Sequence, residues 1–220
     1  MGAAQMRPPG CAMEKSRQSL LMGVGIVVAT VAVIVGAIFV SRQQGFPTAQ
    51  LAGQQAGAEP DLLPMPTLGD DGMWIEAWEH PTSGDLARDA QLAAAEGKLL
   101  AVFWERAGCP YCLQLHTHDY RLLNLYKYVS QRFYVVRLDF YGTKPIRDTD
   151  GVSAGEHELA LRHRVQGTPT MEFRTADGKE VLRIPGYVEP RVMESAFEFA
   201  YTGAYRQTKI NDWLRERDLL

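Results

Sequence analysis

Residues 99–112 read LLAVFWERAGCPYC, and this stretch decides the fold of the chain. Residues 99–104 form a continuous apolar run, which is typical of a strand buried on both faces. The Cys-Pro-Tyr-Cys motif places Pro110 where a helix would begin, and proline suits the first helical turn because its missing N–H costs nothing there. We therefore predict a buried strand that leads into a helix, with Cys109 at the junction.

The flanking segments extend this pattern to a strand, helix, strand unit. Residues 85–97 (DLARDAQLAAAEG) indicate a helix that Gly97 ends. Residues 113–132 (LQLHTHDYRLLNLYKYVSQR) carry apolar side chains at helical spacing, and residues 133–140 (FYVVRLDF) indicate a second buried strand. Two buried strands joined by a helix are typical of a parallel crossover connection.

The remaining sequence predicts a hairpin flanked by helices. Residues 155–165 indicate a helix that ends near Arg164, and residues 170–187 indicate a hairpin with Asp177-Gly178 in its turn. Further helices are predicted at residues 190–201 and at about 207–217. Residues 141–155 are predicted to be a loop, either one that helps to select a partner protein or a plain solvated excursion.

The N-terminal region carries an apolar run that is long enough to cross a membrane. Residues 20–40 (LLMGVGIVVATVAVIVGAIFV) contain no charge and no proline, and as a helix they would span roughly 30 Å. This run exceeds the apolar region of a cleaved signal peptide, so we predict a transmembrane signal-anchor helix at residues 19–41. Basic residues before it place residues 1–18 in the cytoplasm. Residues 42–71, rich in Gln, Ala, Gly and Pro, form a predicted flexible linker to a domain at residues 72–220.

Charge and cysteine content narrow the function of that domain. The chain has a net charge of −3, and with +2 before the apolar run the remainder carries −5. A domain with this negative charge lacks the cluster of basic residues that is typical of nucleic-acid binding proteins. A chain with one predicted membrane span is also not a multi-pass transporter. Beyond the membrane lie only Cys109 and Cys112. One CxxC pair in an oxidising compartment indicates chemistry at that pair, whereas Cys11 is an incidental cytoplasmic thiol.

The motifs together resemble the thioredoxin superfamily. The residues that carry the resemblance are Phe103-Trp104, Cys109-Pro110-Tyr111-Cys112, Gly167-Thr168-Pro169-Thr170 and the Gly178 hairpin. It implies a thioredoxin-like α/β fold, βαβ plus ββα, with a central mixed sheet flanked by helices. A closer resemblance links the chain to the periplasmic thioredoxin-like thiol-disulfide oxidoreductases of bacterial sulfur-oxidation (Sox) systems, on Gly108-CPYC, Leu115-His116, FYVVRLDF, Asp150-Gly151 and Arg183-Ile-Pro-Gly-Tyr187.

The residues predict a two-thiol relay. A helix N-terminus favours an anion, so Cys109 is the expected nucleophile, and Cys112, one turn later, is the expected resolving thiol. The redox-active disulfide is the only cofactor expected, and no metal is expected. Expected partners are a cysteine-containing client protein and a membrane electron donor or acceptor. The resemblance favours reduction of client disulfides, and a dithiol oxidase or a non-catalytic metal-binding assembly module remains an alternative.

The resemblance also implies roles around the cysteines. The Pro169 peptide bond is expected to be cis and to face the pair, which would leave the backbone of Thr168 free to bind an extended client peptide. The Thr168 hydroxyl either contacts the sulfurs or belongs to an ordinary β-branched residue at a strand start. Pro110 and Tyr111, between the cysteines, form the dipeptide known from glutaredoxins, but no glutathione-binding set can be traced.

Two positions depart from thioredoxins, which carry a tryptophan before the first cysteine and a buried aspartate in the preceding strand; here Gly108 and Val102 occupy these places. Glu105 is the candidate replacement base for Cys112, with a solvated loop carboxylate as the alternative. His116 lies within about 20° of Cys109 on a helical projection and either tunes the thiolate or is half-exposed. His118 points nearly opposite, which leaves a zinc ligand set incomplete. The remaining histidines, His80, His157 and His163, show no partner pattern.

Overall fold

The computed structural model describes residues 62–220, and three short strands come first in this part of the chain. β1 (Thr67–Leu68) and β2 (Trp74–Ile75) form an antiparallel hairpin, and β3 (Glu79–His80) pairs with the central sheet. The predicted segments at 1–18, 19–41 and 42–61, with Cys11, lie outside the described residues. Among residues 62–220, no helix is long and apolar enough to cross a membrane.

The first half of the main fold is the predicted βαβ unit, preceded by one helix. Its elements are α1 (Leu86–Ala95), β4 (Leu99–Glu105), α2 (Pro110–Thr117), a 3-10 turn (Asp119–Arg121), α3 (Leu123–Arg132) and β5 (Phe133–Asp139). β4 and β5 run parallel, with Val102 opposite Val136. The predicted parallel crossover is confirmed.

The second half contains the predicted hairpin. Its elements are β6 (Pro145–Arg147), β7 (Ser153–Gly155), α4 (Glu156–Arg162), β8 (Thr170–Arg174), β9 (Glu180–Pro185), α5 (Pro190–Thr202), a 3-10 turn (Ala204–Arg206) and α6 (Ile210–Arg215). The central sheet has the order β3-β5-β4-β8-β9, and β8 is antiparallel to both β4 and β9. This is the mixed sheet, βαβ plus ββα, that the thioredoxin-like resemblance implied.

The apolar run of β4 is buried because both faces of the sheet are covered. Ala101 and Phe103 face a core formed with α2, α3 and α5, whereas Val102 and Trp104 face a second core formed with α1 and α4. Side chains alternate along a strand, so a central strand with two covered faces must be apolar throughout. The two cores hold β4 rigidly, and α2 begins just beyond its end.

The segment predicted as one helix at residues 113–132 is broken in the structure. The break lies between α2 and α3, where Leu122 has the extended backbone angles φ −66° and ψ 115°. It allows Tyr120 to enter the core edge-on against Trp78, at 5.2 Å between ring centroids. It also lets Arg121 donate from Nε to the carbonyl of Leu63 at 2.7 Å. Helical periodicity alone does not reveal such a break.

Residues 62–71, assigned from the sequence to the linker, contact the domain. The backbone N–H of Leu63 donates to the carbonyl of Arg121 at 2.8 Å, and β1 lies within this segment. Part of the structured region therefore precedes the predicted boundary at residue 72.

The segment at residues 141–155, predicted to be a loop, contains a short antiparallel hairpin of β6 and β7. Most of its residues are exposed, but it is anchored to the domain at several points. Ile146 is buried in the second core. The buried carboxylate of Glu156 accepts hydrogen bonds from the backbone N–H groups of Asp139 at 3.2 Å and Lys144 at 3.3 Å. These contacts hold the base of the hairpin against the end of β5.

A cluster of charged side chains connects the β6–β7 hairpin to β8. Its centre is Glu172, which is fully buried and accepts a hydrogen bond from Nε1 of Trp104 at 3.1 Å. The ring of His163 bridges two carboxylates, with Nδ1 3.0 Å from Glu172 and Nε2 2.9 Å from Asp148. The charged cluster consists of Asp148, His163, Glu172, Arg174 and Arg183. The expectation that His163 has no partner is wrong.

The charged cluster predicts that stability falls at alkaline pH. Burial alone would lower the pKa of His163, but its bonds to Asp148 and Glu172 raise it from 6.5 to about 9. The resulting stabilisation is complete below pH 6.5 and is lost as the pH rises through about 9. We expect urea unfolding to show a loss of a few kcal/mol across this window. The His163→Gln variant is the control: it should lack this pH-dependent component, and an identical pH dependence in both proteins would refute the prediction.

Candidate active site

Cys109 and Cys112 lie at the N-terminus of α2 and form a disulfide, with their Cα atoms 5.2 Å apart. Cys109 is the N-cap residue, and its Sγ accepts a hydrogen bond from the backbone N–H of Cys112 at 3.1 Å. In the reduced protein the same N–H and the helix dipole would face a Cys109 thiolate, which they stabilise. The geometry therefore favours Cys109 as the nucleophile and Cys112 as the resolving thiol.

Gly108 explains the missing tryptophan before the first cysteine. Its backbone has φ +68°, a left-handed conformation that glycine adopts without a steric penalty. A tryptophan at this position would be strained, so the departure from the thioredoxin pattern has a backbone cause.

The Thr168–Pro169 peptide bond is cis and lies beside the disulfide, as the resemblance implied. The atom of Thr168 that approaches Sγ of Cys109 is the carbonyl oxygen, at 3.5 Å. The turn is fixed by hydrogen bonds from the Thr170 hydroxyl to the carbonyl of Gly167 at 2.8 Å and from the Gly186 N–H to the carbonyl of Pro169 at 2.8 Å. A backbone acceptor is thus held next to the nucleophile.

A groove of about 510 Å³ runs along this side of the cysteines, and only uncharged residues line it. Tyr111 and Tyr187 stack across it, with ring centroids 5.7 Å apart and planes at 18°. Gln114 donates from Nε2 to the Tyr187 hydroxyl at 2.8 Å, which orients that ring. Pro110 lies on the opposite side of the pair, where it lines a second groove.

The second groove, of about 350 Å³, brings Glu105 together with Cys109 and Cys112. Glu105 is the last residue of β4 and is only 1% exposed, so its interpretation as a solvated loop carboxylate is wrong. Trp74, from the strand pair that precedes the main fold, forms part of the opposite wall. The predicted base and the resolving cysteine therefore share one groove.

His116 is completely buried, so its interpretation as a half-exposed residue is also wrong. Its Nε2 lies 2.8 Å from Oε2 of Glu105, and its Nδ1 lies 2.9 Å from Oε1 of Glu76. Each ring nitrogen of His116 therefore lies within hydrogen-bond distance of a carboxylate oxygen. We call these three residues the carboxylate–histidine triad.

The charges of the triad favour an imidazolium at neutral pH. Burial alone would lower the pKa of His116, but the two carboxylates, Glu105 first, raise it to about 9. Burial raises the pKa of the neighbouring Glu79 to about 7, although Arg137 opposes this shift. Tyr120 packs edge-on against His116 at 5.3 Å, and burial raises the pKa of its phenol well above 10, so it stays neutral.

The sequence of this chain also matches a known protein family. A family model described as a thioredoxin-like domain matches residues 86–201, more than half of the chain. The chain belongs to the thioredoxin-like domain family. Its βαβ plus ββα sheet, CxxC pair and cis-proline agree with this assignment.

Solved structures similar to this thioredoxin-like chain come from several bacteria. A thioredoxin-fold protein from Helicobacter pylori is 25% identical, covering 55% of this chain and 80% of that one, with a TM-score of 0.47. A putative disulphide-isomerase from Bacteroides thetaiotaomicron is 18% identical, with coverage of 63% and 97% and a TM-score of 0.45. The oxidised DsbD C-terminal domain from Neisseria meningitidis is 15% identical, with coverage of 52% and 90% and a TM-score of 0.40. A search of curated proteins finds no match.

The histidines near the CxxC pair of this thioredoxin-like domain have carboxylate partners. Both ring nitrogens of His116 are bonded to carboxylates, and His118 lies on the exposed side, 2.7 Å from Asp119. Within residues 62–220, no group of three or more Cys, His, Asp or Glu side chains is arranged to hold a metal ion. No observation on this part of the chain favours the metal-binding alternative.

Glu76 and Tyr187 are site residues that the sequence reasoning missed. Glu76 lies 40 residues before His116, in a segment without periodicity. Tyr187 ends the RIPGY stretch that supported the closer resemblance, so its place beside the hairpin was a usable signal. The cysteines, Pro169, Glu105 and His116 were predicted. The structure places the cysteines at the beginning of α2 beside Pro169, and His116, in the last turn of α2, contacts Glu105.

Proposed function

We propose that this protein is a membrane-tethered periplasmic thiol-disulfide oxidoreductase that reduces disulfides on a client protein. The observation that carries the proposal is the Cys109–Cys112 disulfide at the N-terminus of α2, facing the cis-Pro169 turn in a thioredoxin-like domain. A pair of cysteines that serves only as a structural staple requires neither a helix N-terminus nor a peptide-binding turn.

The reaction proceeds in two exchanges. The Cys109 thiolate attacks a client disulfide, so a Cys109–client bond forms and the other client sulfur leaves and takes up a proton. Cys112 then loses its proton and attacks Cys109, so the Cys109–Cys112 bond forms and the second client sulfur leaves. The client gains two electrons and the protein becomes oxidised, in the state seen here.

Glu105 accepts the proton of Cys112 in this scheme. Its carboxylate is buried, lines the same groove as both sulfurs and is held by His116 at 2.8 Å. Thioredoxins carry a buried aspartate at the position that Val102 occupies here. Glu105, a buried carboxylate in the groove that Cys112 also lines, takes the place of that aspartate as a base. The second exchange is therefore the step that depends on Glu105.

The groove lined by Tyr111 and Tyr187 binds the client segment. The carbonyl of Thr168 accepts a backbone N–H of an extended client peptide next to Cys109. The stacked tyrosines supply an apolar wall, and the uncharged lining suits a client segment without charged residues next to its cysteine.

The proposed membrane tether and periplasmic location are supported by the sequence. The apolar run at residues 20–40, with basic residues before it, supports a single inner-membrane helix with a cytoplasmic N-terminus. The resemblance to oxidoreductases of sulfur-oxidation systems supports a periplasmic domain whose client is a carrier protein, a disulfide of which is reduced to restore the carrier's active thiol. Reduction consumes electrons, so a membrane electron donor must regenerate the dithiol.

Reductase activity and reduction potential test this proposal together. Full-length protein in detergent, reduced beforehand, should reduce insulin disulfides, and the pair should equilibrate near the roughly −270 mV that is typical of reductants. A potential near about −120 mV would instead identify the dithiol oxidase. No exchange with insulin or with a model disulfide would overturn the proposal.

A further inference from the structure

The carboxylate–histidine triad is assembled from two parts of the chain. Glu105 and His116 lie within residues 86–201, the region that matches the thioredoxin-like family. Glu76 lies upstream of that region, between β2 and β3, and is only 8% exposed. A residue from outside the matched region therefore contacts a buried histidine of the candidate active site.

His116 connects this added residue to the resolving cysteine. Cys112 and His116 are four residues apart on α2 and both are buried, so they occupy neighbouring positions on one helix face. The ring of His116 then reaches Glu105 with Nε2 and Glu76 with Nδ1. One imidazole thus links Glu76 to Glu105, which lines the same groove as Cys112.

We propose that Glu76 is a positioning residue for the resolving step: its bond to Nδ1 of His116 holds the ring with Nε2 against Glu105, which keeps the Glu105 carboxylate in place to accept the Cys112 proton. This inference rests on the proposed function. Without the second carboxylate, His116 would be a buried cation with a single partner, which is costly. A neutral ring could then present a lone pair to Glu105, and the hydrogen bond that orients the Glu105 carboxylate would be lost.

Other ionisable groups surround the triad and set its pH range. Glu79 on β3 pairs with Arg137 on β5, with Nε 3.3 Å from Oε2. The same Arg137 lies 3.7 Å from Asp71. Tyr120 stays neutral, so it adds no charge. The pKa of His116, about 9, leaves its ring charged throughout the neutral range, in which an ordinary cysteine is mostly protonated and needs a base.

The test separates the two exchanges. Full-length protein carrying Cys11→Ser is reduced and mixed with a synthetic peptide disulfide, then acid-quenched and analysed by mass spectrometry. Formation of the Cys109–peptide adduct is followed with an added Cys112→Ser substitution, and its resolution is followed with Cys112 present. At pH 7 we expect Glu76→Gln to leave adduct formation unchanged and to slow resolution about tenfold. This gap should close towards pH 10, where Cys112 ionises without a base.

Matched variants distinguish positioning from folding. Glu79→Gln removes a carboxylate from the same segment that pairs with Arg137 rather than with His116, so its effect on resolution at pH 7 should be smaller than that of Glu76→Gln. Glu76→Asp keeps the charge and should recover much of the lost rate. His116→Gln removes the same link from the other side and should show the same pH-dependent defect, which keeps the test valid if Glu76→Gln folds poorly.

The possible outcomes are distinct. Resolution by Glu76→Gln at the parent rate at pH 7, or a defect of equal size at every pH, would overturn the positioning role while leaving the proposed function intact. Failure of the parent to form any Cys109 adduct would overturn the proposed function, and this inference with it.

Discussion

Replacement of Cys109 by serine is expected to abolish disulfide reduction. A serine hydroxyl is not ionised at neutral pH and forms no mixed disulfide, so the loss should reach about a thousandfold or more. The measurement is the initial rate of insulin reduction by full-length protein with a dithiol as electron source.

Cys11→Ser is the matched control for this experiment. It removes a thiol from the same chain but from outside the described residues, and we predicted it to be incidental. Its rate should equal that of the parent. Comparable rates for Cys109→Ser and the parent would show that the exchange does not pass through the cysteine at the beginning of α2.

The second large effect concerns stability. Glu172→Gln should lower the free energy of unfolding by about 3–5 kcal/mol, because it removes the only carboxylate shared by three cationic side chains of the charged cluster. Arg174 approaches Glu172 to 2.6 Å and Arg183 approaches it to 3.1 Å. With the charge removed, these cations lose their buried partner, and His163 keeps only Asp148 as a carboxylate partner.

Glu180→Gln provides the comparison for Glu172→Gln. Glu180 pairs with the same Arg183 at 2.6 Å but is 31% exposed, so its loss should cost at most about 1 kcal/mol. Both free energies come from urea titrations at pH 7. Equal costs for the two variants would show that burial of Glu172 among cations contributes nothing beyond a surface ion pair.

Much of the fold could be predicted because its signals are local. The apolar run of β4, proline at the first turn of α2 and the Asp177-Gly178 turn each act within a few residues. The resemblance then supplied what local patterns could not, including the cis bond at Pro169. The cysteine pair and the neighbouring Glu105 follow from the same short stretch of sequence.

The errors arose where tertiary contacts decide the environment. The sequence around Glu105 and around His116 gives no sign that either side chain is buried. Their contact at 2.8 Å offsets the desolvation of both side chains, and only the folded structure brings them together. Glu172 and His163 lie nine residues apart and meet only because β8 and the chain before it fold together. The break before α3 likewise exists because Tyr120 packs in the core. No periodicity in the sequence records such pairings.

The most direct measurement of the central claim is the trapping of a mixed disulfide by the Cys112→Ser variant in cells. Without the resolving thiol, the account predicts a covalent client adduct that reducing agent releases and that peptide mapping places on Cys109. The same variant with Cys109→Ser should trap nothing. An adduct located on Cys11, or no adduct while the variant is folded and expressed, would contradict the claim that Cys109 exchanges disulfides with a client protein.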